Sequence, residues 1–265
     1  MTTPPQPLWL NSQLERFFRT ASRLFLCLDY DGTLVPIAPR PEEARPTAAL
    51  LTLLSQFVRH PHMKVAVVSG RSLADLRALL PIDGMAYIGT HGGEICTAAG
   101  ETRRLVLSGV TAMAIARLRQ DIAPAFLQTP GFFLEDKHYA LALHYRLARP
   151  EDEEWAIRQF LAAVQEYQRR GIPLEVIHGK KVVEVRPIGV NKGKAVQSLL
   201  ESEHRTTLPI YIGDDLTDEE AFQALNGRGL TVLVADFPQP TAARYTLRNP
   251  QEVLRFLSFL LGLRS

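Results

Sequence analysis

The sequence has little cysteine and no excess of charge of one sign. Its two cysteines, Cys27 and Cys96, form neither a disulfide framework nor a metal-binding spacing, which favours a reducing cytoplasm as the location. The 30 basic and 28 acidic residues are interspersed and give a net charge of +2. This balance gives no indication of a nucleic acid or another polyanion as a partner.

Long apolar runs are also absent. The longest late apolar stretch, residues 254–263, is interrupted by Arg255 and Ser258 and is about half of the roughly 20 residues needed to span a bilayer. The first ten residues lack a basic segment leading into an apolar one, so we expect no secretory signal. We therefore expect no association with a membrane.

What the chain does contain is the composition and the pattern of an α/β protein. Its 265 residues suit one domain with an inserted subdomain, and the 46% of hydrophobic residues suffice for a sizeable core. Short apolar runs, polar turns and amphipathic segments alternate in both halves, which predicts parallel strands alternating with helices. The predicted strands are 24–28, 64–68, 85–88, 208–212, 230–234 and 245–247, and the predicted helices are 11–21, 47–59, 72–80, 191–203, 217–225 and 250–261.

The first apolar run is followed at once by Asp29 and Asp31, on a turn that contains Gly32. The run predicts a strand buried on both faces, and ligands of an open parallel sheet bind beyond the carboxyl ends of its strands. Two neighbouring carboxylates repel each other unless a cation such as Mg2+ neutralises them, so the stretch predicts a metal and suggests a phosphate. A capped Asp-Gly turn without a ligand is the alternative interpretation.

The middle of the chain follows a different pattern. Its predicted elements are, in order, a strand at 105–107, a helix at 110–122 that ends before Pro124, strands at 132–135 and 139–146, a helix at 151–170, and strands at 173–177 and 181–186. This order predicts a four-stranded antiparallel sheet with two helices on one face, inserted into the parallel-sheet unit.

Four polar turns are expected to meet at one edge of the parallel sheet, because right-handed crossovers place all carboxyl ends of its strands on the same edge. The strand at 208–212 ends in a second acidic cluster, so Asp214 would hold Mg2+ together with Asp29. Ser69 would donate a hydrogen bond to a phosphate oxygen, and Lys192 at a helix start would offset negative charge.

Ordinary structural roles also fit these residues. Asp214, Asp215 and Asp218 are suited to cap a helix N-terminus, where acidic residues are favoured. Lys192 would also fit as a surface lysine and Ser69 as a turn serine. The histidines of the chain show no metal-ligand spacing, which argues against zinc.

The four turns carry a family resemblance. Asp29-x-Asp31-Gly-Thr, Ser69, Lys192 and Gly213-Asp214-Asp215 resemble, in order, the four motifs of the haloacid dehalogenase-like (HAD) phosphohydrolases. A finer pattern resembles the trehalose-6-phosphate phosphatases over nearly the whole chain, in Gly89-Thr-His-Gly-Gly-Glu94, Glu135-Asp-Lys137, His144-Tyr-Arg146, Val183-Glu-Val-Arg-Pro187, Asn191-Lys-Gly193 and Gly213-Asp-Asp-Leu-Thr-Asp-Glu219. The resemblance implies a Rossmann-like parallel-sheet HAD catalytic core at residues 1–100 and 187–265, with an inserted α+β cap domain at 101–186.

The resemblance also implies a mechanism. Asp29 would attack the phosphorus to form an aspartyl-phosphate, and Asp31 would protonate the leaving sugar oxygen and then activate water. Mg2+ would be held by the Asp29 carboxylate, the Asp31 backbone carbonyl and Asp214. Lys192 would complete the catalytic set by offsetting the charge of the transferring phosphoryl group.

In this family the cap also recognises the sugar. By this resemblance the substrate-binding residues are Asp29, Tyr30, Asp31, Ser69, Gly70, Arg71, His91, Glu94, Glu135, Lys137, Arg146 and Glu184. Asp215 and Asp218 would support the metal ligands from behind. The cap residues also fit an alternative interpretation as ion pairs on a solvated sheet face. One departure is Cys96, two positions after Glu94, where relatives often carry a basic residue.

We therefore predict a Mg2+-dependent phosphoric monoester hydrolase that converts trehalose 6-phosphate to trehalose and phosphate. The alternatives are a phosphatase of another sugar phosphate, such as sucrose or glucosylglycerol phosphate, and a non-catalytic phosphoacceptor module like the receiver-type regulators. The large insertion and Asp31 argue against the last. We expect a cytoplasmic monomer that acts on a small-molecule sugar phosphate and is functionally coupled to a trehalose-6-phosphate synthase.

Overall fold

The computed structural model describes residues 5–10, 12–127, 129–137 and 139–263. The chain divides into two compact units. The first comprises the described residues up to Arg103 together with those from Asn191 onward, and the second spans Arg104–Val190. The boundaries predicted from the sequence fall after residues 100 and 186.

Strands and helices alternate through the first unit and regroup in the second. The strands are β1 (Gln6–Pro7), β2 (Arg23–Asp29), β3 (Met63–Val68), β4 (Ala86–Gly89), β5 (Glu94–Cys96), β6 (Thr102–Arg104), β7 (Phe133–Asp136), β8 (Leu141–His144), β9 (Leu174–Gly179), β10 (Val182–Pro187), β11 (Thr207–Gly213), β12 (Leu230–Val234) and β13 (Tyr245–Leu247). The helices are α1 (Ser12–Thr20), α2 (Ala48–Arg59), α3 (Leu73–Leu79), α4 (Gly109–Leu127), α5 (Pro150–Arg169), α6 (Lys192–Glu201), α7 (Glu219–Ala224) and α8 (Pro250–Gly262). The predicted start of α1, Asn11, lies outside the described residues.

The first unit is built on a sheet with the strand order β1-β13-β12-β11-β2-β3-β4-β5-β6. Every pairing from β1 to β4 is parallel, and β5 pairs antiparallel with β4. The predicted fold class, a parallel-sheet α/β core with an inserted α+β unit, is therefore confirmed.

The two central strands, β2 and β11, are buried on both faces. Leu24, Leu26 and Leu28 pack into one apolar cluster with residues of α1, α2, α3 and α8. Phe25 and Cys27 point the other way and pack with residues of α6 and α7. Helices therefore cover both faces of the sheet and leave the carboxyl ends of the strands as the place for polar side chains.

The second unit is a four-stranded antiparallel sheet in the order β7-β8-β10-β9. Helices α4 and α5 pack on one face, where Leu118 and Phe160 meet Leu141, Leu143 and Val183 in a single apolar cluster. The prediction of two helices on one face of such a sheet is confirmed. Because strand side chains alternate, the opposite face carries the polar side chains of β7, β8 and β10.

Two local predictions for this region are wrong. Helix α4 continues through Pro124 to Leu127, because Phe126 is buried in the core of the unit and this packing outweighs the backbone hydrogen bond that proline removes. The segment 105–107 is not a strand, and Val106 is 92% exposed. The neighbouring residues Thr102–Arg104 instead form β6 at the edge of the large sheet.

Both cysteines are buried and neither forms a disulfide. Cys96 lies on β5 with its side chain in the apolar core of the first unit. Within the described ranges of the chain, no helix combines the length and the apolar character that crossing a membrane requires.

Candidate active site

The structure places Asp29 and Asp214 at the carboxyl ends of neighbouring strands. Asp29 is the last residue of β2, and Asp214 directly follows β11. The register pairs Ile212 with Leu28, so the two carboxylates leave the sheet side by side. They are only 5% and 2% exposed, which is unusual for acidic residues unless they are paired or bind a metal.

Lys192 lies between two of the buried acids. It is the first residue of α6, and the side chain of Asn191 caps this helix by accepting from the Lys194 amide. The Lys192 Nζ atom donates to Asp29 Oδ1 at 2.7 Å and to Asp218 Oδ1 at 2.8 Å. At 2% exposure, Lys192 is not the solvated surface lysine of the alternative interpretation.

Asp218 is saturated with hydrogen-bond donors. Its Oδ1 atom accepts from Lys192 and, at 2.7 Å, from the hydroxyl group of Tyr211. Its Oδ2 atom accepts from the backbone amides of Asp214 and Asp215, both at 3.0 Å. Four donors fill the four lone-pair positions of one carboxylate, so Asp218 organises the cluster from behind.

Asp215 serves a local role at the start of the turn that carries Asp218. Its Oδ1 atom accepts from the Leu216 amide at 2.8 Å, and Asp215 and Asp218 together form a capping box. The capping interpretation of the sequence thus fits Asp215. Asp218 combines a capping contact with the ion pair to Lys192.

The cluster carries more negative than positive charge. Burial raises the pKa of Asp29 well above its usual value, and the nearby Asp218 and Asp214 raise it further against the opposing effect of Lys192. Burial alone would lower the pKa of Lys192, but Asp218 and Asp29 outweigh it and hold that pKa above its usual range. Three buried carboxyl groups therefore share one ammonium group, and a divalent cation would favour the ionised form of all three.

The donor set also fits such a cation. Asp29, Asp214 and Asp218 each offer a carboxylate oxygen, and these oxygens lie within 4.8 Å of one another. Carboxylate oxygens are the ligands that Mg2+ prefers. Because both oxygens of Asp218 already accept two hydrogen bonds each, Asp29 and Asp214 are the better ligands of the three.

Gly32 lets the turn after β2 approach Asp214. It has a φ of +87°, in the left-handed region that favours glycine, and an added Cβ would overlap the Asp214 carboxylate. Thr33 donates to Asp214 Oδ1 at 3.4 Å from the same turn. The Asp-Gly dipeptide is therefore a turn, as the alternative interpretation held, and this turn also packs against the acidic cluster.

Asp31 is held by Arg71 rather than by the acidic cluster. Arg71 donates from Nε and Nη2 to the two carboxylate oxygens of Asp31, both at 2.7 Å. The Nη2 group also donates to the Pro41 carbonyl oxygen at 2.7 Å, and the guanidinium lies over the Tyr30 ring. Asp31 keeps 36% of its side chain exposed, so it faces the edge of the sheet where a ligand arrives.

The loop after β3 lies beside a second loop, which follows β4. Ser69 is buried, and its Oγ atom accepts from the Arg71 amide at 3.1 Å. An added Cβ at Gly70 would overlap the His91 ring, so the two loops are in close contact. Glu94 Oε2 accepts from the Leu73 amide at 2.8 Å, at the start of α3.

The second unit brings together three of its four predicted residues. Lys137 Nζ donates to Glu184 Oε2 at 2.6 Å and lies 3.8 Å from Glu135 Oε2. The Lys137 and Glu184 side chains are only 9% and 6% exposed, so this is not an ion pair on a solvated face. Arg146 is exposed and donates to the backbone oxygen of Lys180.

The predicted site residues did not include two residues that contact them. Tyr211 belongs to the buried cluster of the first unit, and burial together with Asp218 raises its pKa well above the usual value, which keeps it a neutral donor. His144 Nε2 lies 2.8 Å from Glu135 Oε2 in the second unit. A tyrosine inside an aliphatic strand and a histidine two positions before Arg146 were the available signals.

A parallel sheet with acidic residues at two neighbouring strand ends, a buried lysine and an inserted α+β unit defines the HAD-like phosphohydrolase class. Residues 27–251 match the trehalose-phosphatase family. The chain belongs to this family.

Two of three similar proteins are described as trehalose phosphatases, and the third is uncharacterised. A rice protein (Oryza sativa subsp. japonica) described as a probable trehalose-phosphate phosphatase is 33% identical over 90% of this chain and 68% of its own. The C-terminal domain of a C. albicans trehalose-6-phosphate phosphatase matches with a TM-score of 0.87 at 26% identity, covering 98% of both chains. An uncharacterised glycosyl hydrolase of Mycobacterium tuberculosis is 35% identical over 98% of this chain, which spans only 20% of that longer protein.

Proposed function

We propose that this protein hydrolyses trehalose 6-phosphate to trehalose and phosphate. The observation that carries the proposal is the buried cluster in which Lys192 bridges Asp29 and Asp218, next to Asp214. A cluster with a purely structural role gains nothing from a third buried carboxylate unless a cation neutralises it. A phosphoryl-transfer site, in contrast, needs both an anionic nucleophile and positive charge for the phosphate. Family membership supports the same reaction class.

Asp29 is the proposed nucleophile. Its Oδ1 atom accepts from Lys192 at 2.7 Å, which fixes the carboxylate and leaves Oδ2 to attack the phosphorus. The bond to the sugar oxygen breaks as the aspartyl-phosphate forms, and water later releases phosphate from Asp29. The Lys192 ammonium group lies where negative charge accumulates during both steps.

Asp31 is the proposed acid and base. It exchanges one of its hydrogen bonds with Arg71 for the leaving sugar oxygen, protonates that oxygen, and then takes a proton from the attacking water. Ser69 is buried, and its hydroxyl group is positioned by the Arg71 amide to donate to a phosphate oxygen. Both residues belong to loops at the carboxyl edge of the large sheet.

Mg2+ is the proposed cofactor. Asp29, Asp214 and the backbone carbonyl of Asp31 would hold it, since Asp218 has no free lone pair in the cluster. When bound, the cation supplies charge neutralisation for the phosphoryl oxygens.

Recognition of the sugar is assigned to the polar face of the second unit. Its largely buried Lys137 and its buried Glu184, together with Glu135, offer donors and acceptors that match sugar hydroxyl groups. Arg146 of the same unit is also proposed to bind substrate, and Glu94 and His91 are proposed substrate-binding residues of the first unit. Cys96 faces the apolar core of the first unit, so its own side chain takes no part in this recognition. We also propose functional coupling to a trehalose-6-phosphate synthase, which would supply the substrate.

Phosphate release from a panel of substrates tests the proposal. Trehalose 6-phosphate, sucrose 6-phosphate, glucose 6-phosphate and an aryl phosphate are compared with Mg2+ and with a chelator, and Asp29→Asn serves as the inactive control. We expect the highest kcat/KM for trehalose 6-phosphate and no turnover by the variant or with the chelator. Equal slow turnover of all four substrates would retain the nucleophile and refute the sugar assignment. Turnover of none would favour a non-catalytic module.

A further inference from the structure

We propose that Tyr211 is a positioning residue of this phosphatase, whose hydroxyl group keeps Lys192 shared between Asp218 and the nucleophile Asp29. The inference rests on the proposed function, because it concerns how the proposed nucleophile is supported. Among the residues that the structure describes, Asp218 is the hydrogen-bond partner of the Tyr211 hydroxyl group. Tyr211 acts through Asp218 alone.

The position of the Tyr211 hydroxyl group is fixed by packing. The residue lies on β11, two positions before Gly213, and is completely buried. Its ring packs edge-on against Phe222 of α7, with the ring centres 5.7 Å apart. The ring therefore has no room to turn away, and the hydroxyl group donates to Asp218 Oδ1 at 2.7 Å.

The accepting oxygen is the one that also binds the lysine. Lys192 Nζ lies 2.7 Å from Asp29 Oδ1 and 2.8 Å from Asp218 Oδ1, so the ammonium group is nearly centred between the two acids. Tyr211 withdraws part of the negative charge of Asp218 Oδ1 into its own hydrogen bond. Without this donor, Asp218 Oδ1 would attract the ammonium group more strongly and draw it away from Asp29.

Burial alone does not explain this hydrogen-bond partner. A buried tyrosine hydroxyl group needs a partner, and a backbone carbonyl suffices. Tyr87 in the same sheet is an example, since it donates to the carbonyl oxygens of Leu80 and Ile82. Tyr211 instead donates to the carboxylate that holds the catalytic lysine. Tyr87 therefore offers a matched control for the loss of a buried tyrosine hydroxyl group.

The test compares Tyr211→Phe with Tyr87→Phe in the Mg2+-loaded enzyme, using trehalose 6-phosphate and an aryl phosphate. For Tyr211→Phe we expect kcat to fall about tenfold on both substrates, the scale of one charge-assisted hydrogen bond, with KM unchanged. The fall in kcat should be equal for the two substrates because the Tyr211 hydroxyl group acts at the phosphoryl group, which both substrates contain. Tyr87→Phe should retain the wild-type kcat, and 4-aminophenylalanine at position 211, which restores a donor, should recover most of the lost kcat.

Several outcomes would overturn the inference. These are a wild-type kcat in Tyr211→Phe, an equal loss in Tyr87→Phe, a rise in KM confined to the sugar substrate, or no recovery with 4-aminophenylalanine. The last comparison also applies if Tyr211→Phe folds poorly, because the amino variant preserves the ring and a donor. Failure of the wild-type enzyme to turn over either substrate would instead refute the proposed function.

Discussion

Replacing Asp218 by asparagine tests whether hydrogen bonding or repulsion dominates the acidic cluster. Asp218 accepts four hydrogen bonds, whereas asparagine offers one acceptor oxygen and one NH2 group. In either orientation of the amide, two of the four donors face the NH2 group. These are the backbone amides of Asp214 and Asp215 in one orientation, and the side chains of Lys192 and Tyr211 in the other.

The Coulomb energies of this substitution nearly cancel. With an effective dielectric constant of about 20, losing the contact to Lys192 at 2.8 Å costs about 6 kcal/mol. With Asp29 and Asp214 both ionised and at 4.8 Å from Asp218, the upper limit of these separations, relief of repulsion returns about 3.5 kcal/mol for each. The hydrogen bonds therefore decide the sign. Two lost bonds of about 1.5–3 kcal/mol each predict a net decrease of about 2–5 kcal/mol in the free energy of unfolding.

Urea unfolding at neutral pH with a chelator measures this difference in the metal-free protein. Asp215→Asn is the matched control, since asparagine caps a helix as well as aspartate does, and its effect should stay below about 0.5 kcal/mol. If Asp218→Asn were as stable as the wild-type protein or more stable, repulsion would dominate. Asp218 would then belong with the metal ligands.

Three further predictions concern other residues. Gly32→Ala should abolish phosphate release because the added Cβ overlaps the Asp214 carboxylate. Gly171→Ala is the control and should remain active, since Gly171 has a similar φ of +80° but open space around it, and equal phosphate release by the two variants would contradict this account. Partial burial opposes ionisation of Glu135, but its neighbouring lysine and histidine outweigh this effect and hold its pKa below the usual value. Its stabilisation is therefore present above the usual glutamate pKa of about 4.3 and is lost as the pH falls through the folded-state pKa. Glu135→Gln should therefore lower the melting temperature at pH 7, and the difference from wild type should shrink as the pH falls below about 4; a difference that does not change with pH would refute this. Burial raises the pKa of the Cys27 thiol, so Cys27 of the native protein should react much more slowly with a thiol reagent than Cys27 of the urea-unfolded chain. Labelling of Cys27 at the same rate in both states would contradict its burial.

The fold was predictable where burial produces a recognisable pattern of apolar residues in the sequence. Strands β2 and β11 are continuous apolar runs because both of their faces are covered by helices. The antiparallel strand β5 was not predicted, because Glu94–Cys96 is too short to show alternation and its pairing with β4 depends on the preceding turn. The predicted end of α4 before Pro124 was also wrong because of tertiary structure, since local helix propensity does not show that Phe126 packs in the core.

The candidate site was predictable for those residues that stand at the end of a strand or directly after it. Asp29 and Asp214 meet this condition, and their proximity follows from strand order alone. The pairing of Asp31 with Arg71 joins residues 40 positions apart and depends on side-chain placement. Tyr211 was hidden because a buried tyrosine in an apolar strand has the appearance of a core residue until its hydrogen-bond partner is known.

Acid quenching during turnover tests the central claim most directly. The enzyme is mixed with trehalose 6-phosphate and Mg2+, denatured within the first turnover, and digested for mass spectrometry of the peptide that contains Asp29. We predict a phosphoryl group on Asp29 of the wild-type enzyme and none in Asp29→Asn. Phosphate release without a phosphorylated Asp29, or label on another residue, would contradict the account.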